Sequence, residues 1–422
     1  MKTILRLIAL LLFGEGTILA QESQTWSRFR GPNGEGKGPH LNFAPKPTME
    51  NFLFWKTEIP GDGNGSPVIW GKSVYLQSSV NNGIGRTLVA VEVSNGKILW
   101  SADLTGAKSK THAKNSLASS TPVCAAEGIF SVFWNGENLL CTGHSHQGNL
   151  LWTTDLGPFK SQHGAGHSPI FHDGKVFVNF DQDNKAEVVA LNAKDGKIAW
   201  RTTRTAYRSS YSTPILRTTP SGKTEIVVAS TAGFGGYDPN TGKETWSIPT
   251  THGKNPLRMV SSPIFLPGDL IFGGGGDGSG ERQALAVPVG QNGAKPAWQD
   301  FKAFPYVTTS LALERGLFSI TDNGFMTTHN PATGEQMSHI RLGGAFSSSP
   351  ILAGNHLVIA ISEAGDMHLI DTRNSRIKPH TLPLGEPVFA TPALHDGLLL
   401  VKGRKTLFCF GNSKIHVEGE QR

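Results

Sequence analysis

Asp238-Pro239-Asn240-Thr241-Gly242-Lys243-Glu244-Thr245-Trp246 is the stretch that decides the fold, because the chain keeps returning to it. Val93-Ser94-Asn95-Gly96-Lys97-Ile98-Leu99-Trp100 and Asn192-Ala193-Lys194-Asp195-Gly196-Lys197-Ile198-Ala199-Trp200 spell the same message: a polar turn with Gly and Lys, then a short strand ending in Trp. Weaker copies end at Trp152, Trp298, Ile340 and near Ile377. The copies recur every ~40 to 52 residues, the period of a repeat architecture.

A second marker runs in phase. Ser or Thr before Pro opens an apolar run at Ser66-Pro67, Thr121-Pro122, Ser168-Pro169, Thr213-Pro214, Ser262-Pro263, Ser349-Pro350 and Thr391-Pro392. A further copy at Thr309-Ser310-Leu311 lacks the Pro, which makes eight units. In the unit from Ser168 to Trp200, Pro169 to His172 is a first strand and Asp173-Gly174 a hairpin turn. Lys175 to Asp181 alternates, with Val176, Val178 and Phe180 on one face. Val188 to Asn192 and Lys197 to Arg201 follow as third and fourth strands. Four short antiparallel strands per repeat make a propeller blade, and Pro at the head of the first strand is compatible with a sheet only there. The reading is all-β: an eight-bladed β-propeller of four-stranded antiparallel blades.

The last unit supplies three strands, near Val388 to Leu394, Gly397 to Lys402 and Thr406 to Phe410. The first Trp-ended strand, Asn51 to Thr57 around Trp55, has no unit before it. Joining the two closes the ring with strands from both ends of the chain in one blade. Trp55, Trp100, Trp152, Trp200, Trp246 and Trp298 then end outer strands, where an aromatic ring docked on the next blade covers an open edge. The small residue ten positions earlier (Ala90, Ala190, Gly236) is expected to leave room for a neighbour's ring. The domain reading is a signal peptide over 1–20, an irregular strap across the propeller over 21–50, the propeller over 51–411 and a polar tail over 412–422.

Lys2 and Arg6, the apolar run Leu7 to Phe13 and small residues up to Ala20 have the pattern of a secretory signal, cleaved between Ala20 and Gln21. Localisation is therefore expected in the periplasm or cell envelope, with secretion as the further option and an uncleaved anchor as the competing reading. No other segment is long and apolar enough to span a bilayer, and no Cys follows the cleavage point to carry a lipid. The three Cys form no disulfide framework. Cys124 and Cys141 fall on strands of one blade ~9–10 Å apart, too far to bridge, and Cys409 lies in another. The formal charge is +6, with Lys and Arg scattered through turns, which argues against nucleic acid as a partner.

Gly236 to Trp246 resembles the pyrroloquinoline-quinone (PQQ) type propeller repeat, Ala-x-Asp-x-x-Thr-Gly-x-x-x-Trp, with Gly in place of the leading Ala. That repeat builds quinoprotein alcohol dehydrogenases and BamB-type assembly proteins. Trp26-Ser27-Arg28-Phe29-Arg30-Gly31-Pro32-Asn33-Gly34-Glu35-Gly36, Thr111 to Pro122 and Asp155 to Gly166 resemble an exported PQQ-like group found in planctomycetes and related bacteria. The dehydrogenases, as the resemblance implies, stack the quinone under a disulfide of adjacent Cys and hold Ca²⁺ with Glu and Asn or Asp. No two Cys are adjacent here, and no Cys-x-x-Cys-His haem site is present.

Other motifs have plain readings. Gly273 to Gly280 lacks the Lys-Ser/Thr of a phosphate loop and is expected to be a flexible hairpin. Asp181-Gln182-Asp183-Asn184 with Glu187 is expected to be a solvated turn rather than a Ca²⁺ loop. His144 and His146 are expected in a surface turn.

Propeller sites lie at the mouth of the central channel, on loops leading into the inner strands. Here those loops carry Asp62, Asn64, Tyr306, Phe346 and Phe389, and above all His112, Lys114, Asn115, His163, His167, Arg208, Tyr211 and Arg258. Cations, hydroxyls and aromatics together suit an anionic or polyhydroxylated ligand or an acidic protein segment. No catalytic or metal-ligating residue is assigned. The expected function is an exported non-catalytic platform binding a protein partner or ligand, without cofactor. The alternatives are a PQQ- and Ca²⁺-dependent oxidoreductase and a polysaccharide-binding module.

Overall fold

The computed structural model describes residues 26–41, 47–183, 185–205, 207–250, 257–278, 280–302, 304–373 and 378–411. The expected signal segment, the outer-strand residue Ile377, the tail 412–422 and Asn184 lie outside them. Eight sheets form one ring of blades: 68–105, 123–158, 170–204, 215–249, 264–300, 311–341, 351–383, and an eighth built from 393–410 with Leu53–Glu58. In the third blade the strands are Ile170–His172, Lys175–Gln182, Lys185–Asn192 and Ile198–Arg204, joined antiparallel in sequence order. Leu53–Glu58 pairs antiparallel with Thr406–Phe410, with Trp55 opposite Cys409, so the two ends of the chain close the ring.

Alternation along the middle strands is hidden, because both faces of each blade are covered by neighbouring blades. Val176 through Gln182 are all buried, unlike a strand with one wet face. The outer strands alternate openly, as in Ile98–Thr105.

The Trp residues dock as expected, but on a different partner. Trp55 Nε1 donates to Val93 O (2.8 Å), Trp152 Nε1 to Ala193 O (2.8 Å), Trp200 Nε1 to Pro239 O (3.1 Å) and Trp298 Nε1 to Pro331 O (2.9 Å). Each acceptor lies in the polar turn of the following blade. The turn Gly has a positive φ (+70° at Gly196), and a Cβ there would sit 2.5 Å from the Trp152 ring. The small residue ten positions before each Trp instead makes room for the Trp of its own blade, since Ala90 is opposite Trp100 and Ala190 opposite Trp200. Trp246 differs: its Nε1 donates to Glu225 Oε2 (3.1 Å) within its own blade.

The segment 26–38 runs into the central channel. Ile69 N–H donates to Trp26 O and Cys124 N–H to Ser27 O. Asn33 exchanges two side-chain bonds with Leu216 (2.8 Å each). Lys37–Gly38 adds a parallel strand to the inner strand Ile351–Ala353. The segment thus touches inner strands of blades on opposite sides of the ring and plugs the channel. Its two arginines are buried: Arg28 donates to Pro214 O, and Arg30 to the carbonyls of Gly34, Glu35, Ser310 and Pro350.

Several sequence expectations give way to packing. Leu270–Gly276 is a buried middle strand, and the Phe234 ring lies against Gly273 where a side chain would stand, so the first half of this Gly run admits a neighbour and only the stretch from Asp277 to Glu281 makes the hairpin turn. Asp181 is fully buried and paired with Arg204 (2.6 Å), and Glu187 pairs with Arg201 (2.9 Å), so neither belongs to a solvated turn. His144 is buried on a middle strand, and His146 links Tyr75 Oη (3.0 Å) to Ala125 O (2.9 Å) between two blades. All three Cys are free and buried. No helix among the described residues is long and apolar enough to cross a membrane.

Candidate functional site

The Ser/Thr markers form a crown around the channel. Each stands where an inner strand begins, and its backbone N–H donates to the hydroxyl of the next blade's marker: Ser66 to Thr121 (3.0 Å), Thr121 to Ser168 (3.0 Å), Thr213 to Ser262 (3.0 Å), Ser262 to Thr309 (2.9 Å), Thr309 to Ser349 (2.9 Å), Ser349 to Thr391 (3.0 Å), and Thr391 back to Ser66 (3.0 Å). The Ser168 to Thr213 link is not made among the described residues. A residue before Pro is held extended, which aims its N–H sideways at the neighbouring blade. Thr309 keeps its place in the crown without the Pro because the hydroxyl, not the ring, makes the link.

Above the crown lies a cavity of about 420 Å³, within the usual range for ligand pockets. Its lining includes seven of the eight crown residues and Phe29 from the channel plug. The plug closes the channel from the far side, so the mouth is a blind pocket. The loops above bring His112, Lys114, Asn115, His163, Tyr211 and Arg258 to the lining, together with Asn64, Tyr306 and Phe389. Phe346 is fully buried instead.

His167 and Arg208 do not line the cavity. The His167 ring packs edge-on to Phe159 (5.1 Å between centroids) and its Nε2 lies 2.9 Å from Asp181 O, so it is spent between strands. Arg208 sits in a loop whose N–H groups are held by Thr231 Oγ1. Phe29, Asp277, Arg282, Val307 and Asp322 also line the pocket and were missed. Val307 shares its loop with Tyr306, just before Thr309; Phe29 lies far away in sequence, and Asp277, Arg282 and Asp322 lie at hairpins that no repeat marker flags, so only the ring closure brings them together.

The electrostatics of the mouth are lopsided. His163 is pushed down to about 4 by burial first and then by its neighbours Arg258, His112 and Arg208, so it is neutral at neutral pH. Its ring lies 4.8 Å from that of His112. Burial raises Tyr211 to about 12; its hydroxyl bonds Ser161 Oγ (2.6 Å) and Gly164 O (2.9 Å). The carboxylates are occupied by the scaffold. Asp322 receives the N–H groups of Tyr306 and Val307 (2.9 Å each) and Arg282 Nη2 (3.2 Å). Glu363 receives Ser347 Oγ (2.6 Å) and Lys114 Nζ (2.7 Å), a pair that ties the loop leading into the second blade to a hairpin of the seventh. The Arg282 guanidinium lies over the Tyr306 ring, 5.3 Å from its centroid.

The donor set does not match a quinone and Ca²⁺ centre. The Cys are on separate strands, the pocket carboxylates hold loop N–H groups and cations, and no cluster of metal-ligating side chains occurs among the described residues.

A family model described as outer membrane protein assembly factor BamB matches residues 135–312. A polyvinylalcohol dehydrogenase from Pseudomonas sp is 26% identical over 179 residues, covering 39% of this chain and 26% of that protein. The serine/threonine-protein kinase AfsK of Streptomyces griseus is 25% identical over 282 residues, 57% of this chain and 31% of that one. The chain therefore spans only about a quarter to a third of the length of these relatives. Among solved structures, BamB from Moraxella catarrhalis superposes with a TM-score of 0.58 at 11% identity, covering 86% of this chain and 97% of that one. Quinohemoprotein alcohol dehydrogenase from Comamonas testosteroni gives 0.55 at 13% identity, covering 94% and 82%. At such identities the likeness is one of fold.

Proposed function

Starting from a chain whose fold is that of the PQQ-like β-propellers, we propose that it is an exported, non-catalytic platform that binds its ligand or partner at the channel mouth. The observation that carries this reading is the blind pocket: a walled cavity floored by Phe29, lined by hydroxyls and cations, whose carboxylates are already engaged. Supporting export is the start of the sequence, with Lys2, Arg6, the apolar run Leu7 to Phe13 and Ala20. The BamB likeness adds that this fold serves elsewhere in outer membrane protein assembly.

Two measurements test the proposal. Species released on denaturing protein purified from its native host, read by mass spectrometry, are expected from the wild type and not from Arg258→Gln; equal recovery from both places binding elsewhere. Mixing with PQQ and Ca²⁺ is expected to give no bound chromophore and no alcohol-dependent dye reduction. A bound, turning-over quinone overturns the non-catalytic reading in favour of the chemistry named for the polyvinylalcohol dehydrogenase relative.

A further inference from the structure

The pocket wall carries hydroxyl donors that the protein leaves unused, and one nearly buried cation, Arg258, that is only loosely paired. The crown hydroxyls show this first. Seven of them accept a neighbour's N–H, and among the described residues none of the eight donates its own proton to the protein. A hydroxyl whose lone pair is occupied has its O–H left to give. Seven of the eight residues line the cavity, so those protons are available around its wall.

Arg28 and Arg30 flank the floor residue Phe29 in sequence, but neither lines this cavity, and Arg28 faces a second one beside Asn33 and Cys124. Both are buried, 6% and 0% exposed, and neither has a carboxylate within ion-pairing distance among the described residues. Arg30 is solvated by carbonyls alone, while Arg28 keeps Nε and Nη1 without a partner. A buried charge without a counter-charge is costly, because low-dielectric surroundings do not replace its hydration. On the wall, the Arg258 side chain is 4% exposed. Its Nε has no partner, and its Nη2 lies 3.4 Å from Gln162 Oε1 and 3.8 Å from Asp183 Oδ1, at the margin of bonding. Asp183 is meanwhile engaged by Ser209 N and Oγ (3.0 and 3.1 Å).

From this arrangement we infer that the pocket takes a small hydroxycarboxylate, a sugar acid in chemical class, with its carboxylate at Arg258 and its hydroxyl oxygens accepting from the crown. The inference rests on the platform reading and names its ligand. A guanidinium forks onto a carboxylate with two parallel bonds. A ring of hydroxyls with unused O–H protons suits a ligand carrying many oxygens. The flanking Tyr211 and Tyr306 add the aromatic faces that a compact polyol packs against. A neutral sugar would satisfy the crown and leave Arg258 loosely paired, and an inorganic anion would do the reverse.

Isothermal titration of the full chain with sodium D-gluconate and sodium D-glucuronate is the test, run beside D-glucose, inorganic phosphate and sodium chloride. The sugar acids are expected to bind, glucose and chloride to bind at least about tenfold more weakly, and Arg258→Gln to lose about 10- to 100-fold in gluconate affinity, the range for bonds to a charged group. Raising sodium chloride from 50 to 500 mM is expected to weaken gluconate binding to the wild type, a readout that does not depend on the variant folding. Glucose binding as tightly as gluconate overturns the inference and leaves the platform standing. Phosphate binding as tightly does the same. No binding of either sugar acid also overturns it, whereas the platform reading stands or falls on the release and quinone measurements above.

Discussion

At the scale of single residues, the docking Trp shows how one side chain joins two blades. Trp152 is 8% exposed, stacks on Phe130 at 5.8 Å, and gives its N–H to Ala193 of the next blade. Trp152→Ala is expected to cost roughly 3–5 kcal/mol, the range for emptying a buried aromatic site. Trp200→Ala, whose ring is only partly covered, is expected to cost less, about 1–3 kcal/mol. Urea denaturation of the two variants checks the order. Gly196→Ala is a second case: the residue has φ +70°, and a methyl group there meets the Trp152 ring. A loss of about 1–3 kcal/mol is expected from left-handed strain and displaced packing. The Gly and the Trp were both legible in the repeat. That they touch across a blade boundary was not, because they lie more than forty positions apart and meet only when blades stack.

At the scale of elements, the crown and the middle strands carry the argument. Thr391→Val keeps the shape of the side chain but leaves the buried Ser349 N–H without its acceptor. The expected cost is about 1–3 kcal/mol, the penalty for an unmet buried donor, readable by thermal or urea unfolding. The buried histidines set a pH dependence. Burial pushes His144 and His167 down to about 4, from about 6.5 in an unfolded chain. Between these values the unfolded chain binds protons that the folded one refuses, so stability is full above about pH 6.5 and falls as the pH drops toward 4. Unfolding measured at pH 7.5 and 5 is expected to show the loss, and His144→Gln together with His167→Gln to reduce it. A flat profile in the parent would count against the burial argument. Here the local pattern misled: His144 and His146 flank Ser145 in the sequence, yet His144 is buried on a middle strand and only His146 bonds across to the neighbouring blade, through Tyr75.

At the scale of the whole molecule, closure and plugging are joined in the first described residues. Segment 26–38 fills the channel, and Leu53–Glu58 completes the eighth blade. A chain shortened by residues 26–59 is expected to lose cooperative unfolding and to expose Cys409. That thiol is buried opposite Trp55, and burial also raises its pKa. Labelling with iodoacetamide without denaturant is expected to spare Cys409 in the full chain and modify it in the shortened one. Equal protection in both would mean that the blade closes by another route.

The sequence by itself determined the repeat, the count of eight blades, the four-strand unit and the closure through Trp55. These rest on local chemistry: turn residues with positive φ, alternating strands of a few residues, and Pro confined to strand heads. Nine of the thirteen residues named for the mouth also line it, because the same loops lead into the inner strands in every blade. Only the tertiary structure decided the rest. It turned the Ser/Thr markers into a linked crown, put Phe29 with two uncompensated arginines beneath it, buried Gly273 to Gly276, and removed His167 and Arg208 from the pocket. Each of these depends on which residues of distant repeats face one another across the channel or between stacked blades. That is set by the curvature of the closed ring, not by any interval along the chain.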